Sequence, residues 1–307
     1  MADEIMNSAE PLDIGLLNMM PDAALKATER QFVHLLAGAD QAVKLHLFTL
    51  PEIERGAGGR AHVAHYNSFA QIQARGLDAL IISGAHVDGN ALADQPFWRA
   101  LGLVISWAES NVAAMLCSCL ATHAVLQFLF GQNRVALPTK RWGVYLHHVV
   151  AEGHPLVAGL APGFDVPHSR CNEVTAAQFT SAGMKVLVVS EAGEVHLAVR
   201  DGRPQWLFWQ GHPEYETVSL LKEYKREVAR FAKGEVDEYP PFPANYLGSD
   251  GRTLLSLYEG QVKRARSQNM TVPNFPEAQL VPELKNTWRE ASECVFNNWL
   301  GSLRACQ

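Results

Sequence analysis

The stretch Val112-Ala-Ala-Met-Leu-Cys-Ser-Cys119-Leu-Ala-Thr-His-Ala-Val-Leu-Gln-Phe-Leu-Phe130 changes its period at Cys119. Residues 112–116 are a short apolar run suited to a buried strand, whereas Leu120, Ala124, Val125, Phe128 and Leu129 recur at helical spacing. Cys119 therefore stands on a strand-to-helix turn, where unpaired N–H groups and the helix dipole favour an anion. A thiol there is expected to have a lowered pKa, and the next N–H points at whatever the sulfur attacks. The competing reading makes Cys117 and Cys119 two small apolar residues of a buried strand, since free cysteine is among the most buried residue types.

Outward from this junction, strands and helices alternate. Residues 14–18 read as a first strand and 23–36 as a helix with Lys26, Glu29 and Arg30 facing outward. A second strand over 43–50 leads to a Gly-rich polar loop at 56–59, a weak helix at 68–75, and a third strand at 77–83 followed by Gly84-Ala85-His86. A helix at 96–109 precedes the strand of the opening stretch. This order predicts an α/β fold, a flavodoxin-like doubly wound and mostly parallel sheet with helices on both faces. Ligands of such sheets gather at the carboxyl ends of the strands, here 18–21, 84–88, Cys119 and 211–214. Beyond Lys140 the strands look shorter, at 185–190, 195–199 and 205–210, with Asp201-Gly202 as a hairpin turn. A helix at 217–232, a Pro-rich surface crossing at 239–244, a helix from about 253 and a last amphipathic helix at 288–303 complete the chain, so a domain over 1–240 is expected to carry a helical extension, 241–307, on the same body.

The bulk composition narrows the function classes. A chain of 307 residues with 48% hydrophobic and 19% charged residues has an ordinary globular composition. A net charge of -6 with interspersed basic residues offers no stripe for a nucleic-acid backbone and no attraction to an anionic membrane. Small-molecule chemistry is the expectation. Five cysteines without a C-x-x-C pair fit a reducing cytoplasm. The start, Met-Ala-Asp-Glu, lacks the basic and apolar segments of a secretory signal, and polar residues interrupt the apolar run at 112–130. No Walker loop and no G-x-G-x-x-G occurs.

Gly211-His-Pro-Glu214 follows a second apolar strand. His212 and Glu214 are two apart on the turn leaving it, so a carboxylate can orient one imidazole nitrogen while the other faces a sulfur. Among the twelve histidines, His147 and His148 point to opposite faces of a strand, and His62 with His65 has no Cys, Asp or Glu nearby in sequence. No metal is expected.

Taken together, Ile14-Gly-Leu-Leu-Asn-Met-Met-Pro21, Gly84-Ala85, Cys119, Gly143-Val-Tyr145, Pro167-His-Ser-Arg170, Gly211-His-Pro-Glu-Tyr215, Trp288-Arg289 and Phe296-Asn-Asn-Trp-Leu300 resemble, in the same order, the homoserine O-succinyltransferases. These are methionine-pathway members of the glutamine-amidotransferase-like superfamily. The resemblance spans nearly the whole chain and implies an O-acyltransferase moving a succinyl or acetyl group from acyl-CoA to L-homoserine, with acyl-CoA as co-substrate and no further cofactor. It places the acyl-thioester cysteine at Cys119, the general base at His212, the third catalytic residue at Glu214, and substrate contacts at Lys140, Ser169 and Arg226. Backbone N–H groups of Leu120 and Ala85 are expected to form the oxyanion hole.

The family position that sets acyl choice holds Gly in succinyl-using members and Glu in acetyl-using ones. Here it falls on Asp88, with His86 in place of the usual proline. A carboxylate there repels the free carboxylate of a succinyl group and argues for acetyl, while His86 can neutralise it, so both donors stay open. The segment 247–285 is longer than is usual in the family, which keeps L-serine as an alternative acceptor. A glutamine amidotransferase-type amidohydrolase shares the Cys/His/Glu logic, but such elbows place glycines where this chain has Cys117 and Ala121. A non-catalytic binding protein on the same fold is a third reading. The tail helix can pack on its own domain or on a second copy in a homodimer.

Overall fold

The computed structural model describes residues 10–39, 41–87 and 91–305. The first half alternates strands and helices: β1 (Leu12–Met19), α1 (Leu25–Ala37), β2 (Val43–Phe48), α2 (Ala57–Val63), α3 (Phe69–Arg75), β3 (Ala79–Ala85), α4 (Trp98–Asn111), β4 (Ala114–Ser118) and α5 (Leu120–Phe130). There follow β5 (Val135–Val149), β6 (Gly163–Glu173), α6 (Ala176–Ser181), β7 (Lys185–Ser190), β8 (Val195–Arg200), β9 (Gln205–Trp209) and α7 (Ser219–Ala232). The tail comprises α8 (Ser249–Ser267), the short α9 (Glu277–Leu280) and α10 (Arg289–Ala305).

The strands form one sheet in the order β2-β1-β3-β4-β9-β8-β7-β5-β6. From β2 to β9 every pairing is parallel, and β1, β3 and β4 are buried almost throughout, as strands covered on both faces must be. Alternate residues of these strands feed two cores. Leu80, Ile82, Met115, Cys117 and Phe208 meet Leu101, Ile105, Leu120 and Ala124 from α4 and α5, while Ile14, Ile81, Leu116 and Leu207 meet Phe32 and Leu35 of α1 and Phe296, Trp299 and Leu300 of α10. The doubly wound arrangement expected from the alternation is present.

Three local expectations change. The Gly-rich segment 56–59 is not a loop but opens α2, because Gly59 must pass close to the Asp22 carboxylate, which also accepts the Gly56 N–H at 2.8 Å. The region after Lys140 contains not only short strands but the long antiparallel pair β5–β6, whose polar, half-buried edge position hides its period-2 pattern. The first tail helix begins at Ser249 rather than near 253, and the expected Asp201-Gly202 turn does connect β8 and β9.

The tail is bound into the fold at two places. The segment before α8 crosses β5, with the Ala244 carbonyl accepting from Val144 and the Ala244 N–H donating to Trp142, both at 2.8 Å. Gly143 lies under this strap with φ 143°, where any Cβ would strike the Ala244 backbone. Helices α7 and α8 then share a third core with Trp142, Tyr215, Tyr224, Tyr258 and Trp288. Among the described residues no helix is long and apolar enough to cross a membrane.

Candidate active site

Cys119 occupies the junction of β4 and α5 with φ 50° and ψ -109°. That conformation costs a residue with a side chain about 1–3 kcal/mol and persists only where neighbours impose it. Here they do: the Cys119 N–H donates to the Trp209 carbonyl at 2.9 Å, and the Thr122 hydroxyl lies 2.8 Å from the Cys117 carbonyl and 3.0 Å from that of Trp209. The parallel β4–β9 register sets Ser118 beside Trp209, so the turn leaving β9 emerges next to the sulfur.

The His212 ring on that turn is flanked by Glu214 and influenced by Cys119. Nδ1 stands 2.8 Å from Glu214 Oε1, and the Cys119 sulfur lies close enough to act electrostatically on the same ring. Burial alone would strip the ring of its proton, but the sulfur and the Glu214 carboxylate outweigh burial and hold the imidazole well above its ordinary value. Glu214 is buried, accepts also from the Ser118 hydroxyl at 3.4 Å, and keeps Oε2 without a hydrogen-bond partner. The His212 N–H donates to the Pro167 carbonyl at 2.7 Å, which ties the turn to β6. Cys117, two residues before the elbow, is fully buried in the core under α4 and α5, and burial pushes its thiol far up, as an inert structural cysteine requires.

Of the two oxyanion candidates, Leu120 is the first residue of α5, where helix N–H groups have no partner within the helix, and Ala85 ends β3. The end of β3 lies against the nucleophile: a Cβ on Gly84 would sit 3.8 Å from Cys119 Cβ and 3.6 Å from Met20 Sδ. Asp88 lies outside the described residues.

Lys140 and Ser169 converge on a residue that the sequence reading did not single out. Glu223 of α7 accepts the Ser169 hydroxyl at 2.6 Å on Oε2 and the Tyr215 hydroxyl at 2.5 Å on Oε1, with Lys140 Nζ 3.8 Å away. The ammonium of Lys140 also lies 3.9 Å above the Trp142 ring. Arg226 stands one turn further along α7, on the same side as Glu223, but it is half-exposed and pairs with Glu227 at 3.3 Å rather than joining the Glu223 group. A carboxylate three residues before Arg226 on a strongly amphipathic helix was the available signal for Glu223.

Behind His212, three buried histidines form a neutral chain. Arg170 Nε–H donates to His168 Nδ1 at 3.3 Å, the two Nε2 atoms of His168 and His147 are 3.1 Å apart, and His147 Nδ1 meets the Tyr145 carbonyl at 2.8 Å. His196 packs edge-on against both rings and its Nδ1 accepts the Gly211 N–H at 3.3 Å. Burial pulls His147 down to about 4 and His168 and His196 well below the usual range. Among the described residues, no group of three or more His, Cys, Asp or Glu is placed to hold a metal ion. A cavity of about 470 Å³ between β6 and α10, lined by residues such as Leu146, Phe164, Asp165 and Glu290, contains none of the residues above.

A sulfur, an imidazole and a carboxylate grouped at the carboxyl end of a parallel sheet can form and break a thioester. A solved glutamine amidotransferase from Methylobacillus flagellatus superposes with a TM-score of 0.54 over 96% of this chain and 95% of its own, at 13% identity, a likeness of fold. The homoserine O-succinyltransferase of Allochromatium vinosum is 55% identical over 94% of this chain and 82% of its own length, and that of Nitrosococcus oceani 52% identical over 95% and 82%. The family model described as homoserine O-succinyltransferase matches residues 2–305, and the chain belongs to the homoserine O-succinyltransferase family.

Proposed function

We propose that the chain is a homoserine O-acyltransferase working by a ping-pong route through an acyl-cysteine. With its proton already passed to His212, the Cys119 sulfur attacks the acyl-CoA thioester carbonyl. Backbone N–H groups of Leu120 and Ala85 stabilise the oxyanion, and the CoA thiolate leaves with the proton returned by His212. The homoserine hydroxyl then gives its proton to His212 and attacks the acyl-cysteine, which releases the O-acyl ester and restores the starting Cys119–His212 pair. No metal or other cofactor enters the scheme. The observation that carries it is Cys119 on a strained elbow beside the His212–Glu214 pair.

The Glu223 group suits an amino acid acceptor. The Glu223 carboxylate pairs with the acceptor ammonium, while Lys140 and Arg226 supply cations for its carboxylate and Ser169 a hydroxyl between them. The names of the relatives support succinyl as the acyl group. Asp88 supports a second reading, acetyl, through repulsion of the succinyl carboxylate.

Intact mass after incubation with succinyl-CoA or acetyl-CoA alone tests both points. We expect one acyl adduct on Cys119, absent in Cys119→Ser and retained in Cys117→Ser. Turnover by a wild-type chain that never carries the acyl mass defeats the covalent route, and an adduct that survives Cys119→Ser reassigns the nucleophile. The donor forming the adduct faster identifies the acyl group, and Asp88→Gly is expected to shift that preference toward succinyl.

A further inference from the structure

We propose that Tyr215 is a positioning residue that braces His212 against the acceptor-binding group, an inference that rests on the acyl-transfer reading above. Every handle of this residue is engaged. Its ring stacks on the His212 imidazole, with centroids 4.3 Å apart and planes inclined by 18°. Its N–H donates to the His212 carbonyl at 3.0 Å, which closes the turn leaving β9. Its hydroxyl donates to Glu223 Oε1 at 2.5 Å, and its carbonyl accepts the indole N–H of Trp288 at 2.8 Å.

These contacts divide the work of one side chain between two stages of the reaction. The stack limits rotation of the base that serves both half-reactions. The phenol belongs to the acceptor side: with Ser169 it holds Glu223 by two short O–H donors, one per oxygen, so the carboxylate has a fixed orientation before an ammonium arrives. Burial and the Glu223 charge keep the phenol protonated, so it acts as a donor throughout. Trp288 anchors the brace from just before α10, which gives the C-terminal extension a part in the geometry of the site. Tyr215 contacts the residues that meet the substrate and acts through them.

The two half-reactions separate these parts. In Tyr215→Phe the stack remains and the hydroxyl is lost. The rate of acyl-enzyme formation, followed by quenched-flow intact mass without acceptor, should stay within about twofold of wild type. Discharge of the isolated acyl-enzyme should need about tenfold more homoserine for half-maximal rate, the scale of one charge-assisted hydrogen bond. Trp288→Phe removes the indole donor, frees the turn that carries His212, and should slow both half-reactions while thermal unfolding remains cooperative. Equal slowing of both half-reactions in Tyr215→Phe, or no change in either, overturns the brace and leaves the covalent route standing. If wild type turns over without an acyl adduct, the covalent route fails on its own, and the brace is then judged by the steady-state KM for homoserine: raised in Tyr215→Phe it stands, unchanged it falls.

Discussion

Gly211 precedes the proposed base and is walled in on three sides. A Cβ built there would lie 2.6 Å from Val166 Cγ1, 3.0 Å from His168 Cε1 and 3.0 Å from His196 Nδ1. Gly211 is not one of the positive-φ glycines, so the cost of an alanine comes from crowding. The walls cannot recede freely: Val166 is β-branched and part of β6, His168 is held by Arg170 and His147, and His196 is bonded to the Gly211 N–H itself. In Gly211→Ala the backbone must therefore yield, and His212 moves with it. Overpacking of this kind costs about 1–3 kcal/mol of stability. A displacement on the order of 1 Å at a catalytic group lowers the rate about a hundredfold. Urea unfolding measures the first quantity and quenched-flow acylation of Cys119 the second. A Gly211→Ala protein with an unchanged unfolding midpoint and an acylation rate within twofold of wild type refutes the reasoning, because either the walls move or the imidazole does not follow the chain.

Gly84→Ala is the converse case. Its Cβ would make ordinary contacts at 3.6 Å or more, so it should cost less stability than Gly211→Ala. The methyl would occupy the space beside Cys119 where the oxyanion is to sit, and acylation should fall at least about tenfold; an unimpaired rate places the oxyanion elsewhere. Acid should destabilise the fold through its buried histidines. Burial lowers His123 to about 3, His147 to about 4, and His168 and His196 further below 6.5. A folded pKa below the unfolded one means that this stability is fully present above about pH 6.5 and is lost as pH falls toward 4, at up to about 1.4 kcal/mol per pH unit for each ring. The raised His212 has the opposite sign, and its contribution is complete below pH 6.5, so it does not mask the trend. Equal unfolding free energies at pH 7 and pH 5 would contradict the neutral, buried assignment.

What the amino-acid order determined by itself was local. The change from strand to helix period at Cys119, and the two-residue spacing of His212 and Glu214, depend on chain geometry within one turn and are readable without a fold. The alternation of apolar strands with amphipathic helices likewise implied the parallel half of the sheet and the end at which the candidate site is placed. The tertiary structure decided which distant groups share one carboxylate or one ring. Glu223 collects Ser169 from 54 positions away, and Trp288 reaches the Tyr215 carbonyl across 73 positions. The edge pair β5–β6 brings Lys140, Ser169 and the His147–His168 contact into place through a register that no local pattern specifies. Hydrogen bonds and burial at such separations follow from how the sheet and helices pack, and a linear pattern carries no measure of that distance.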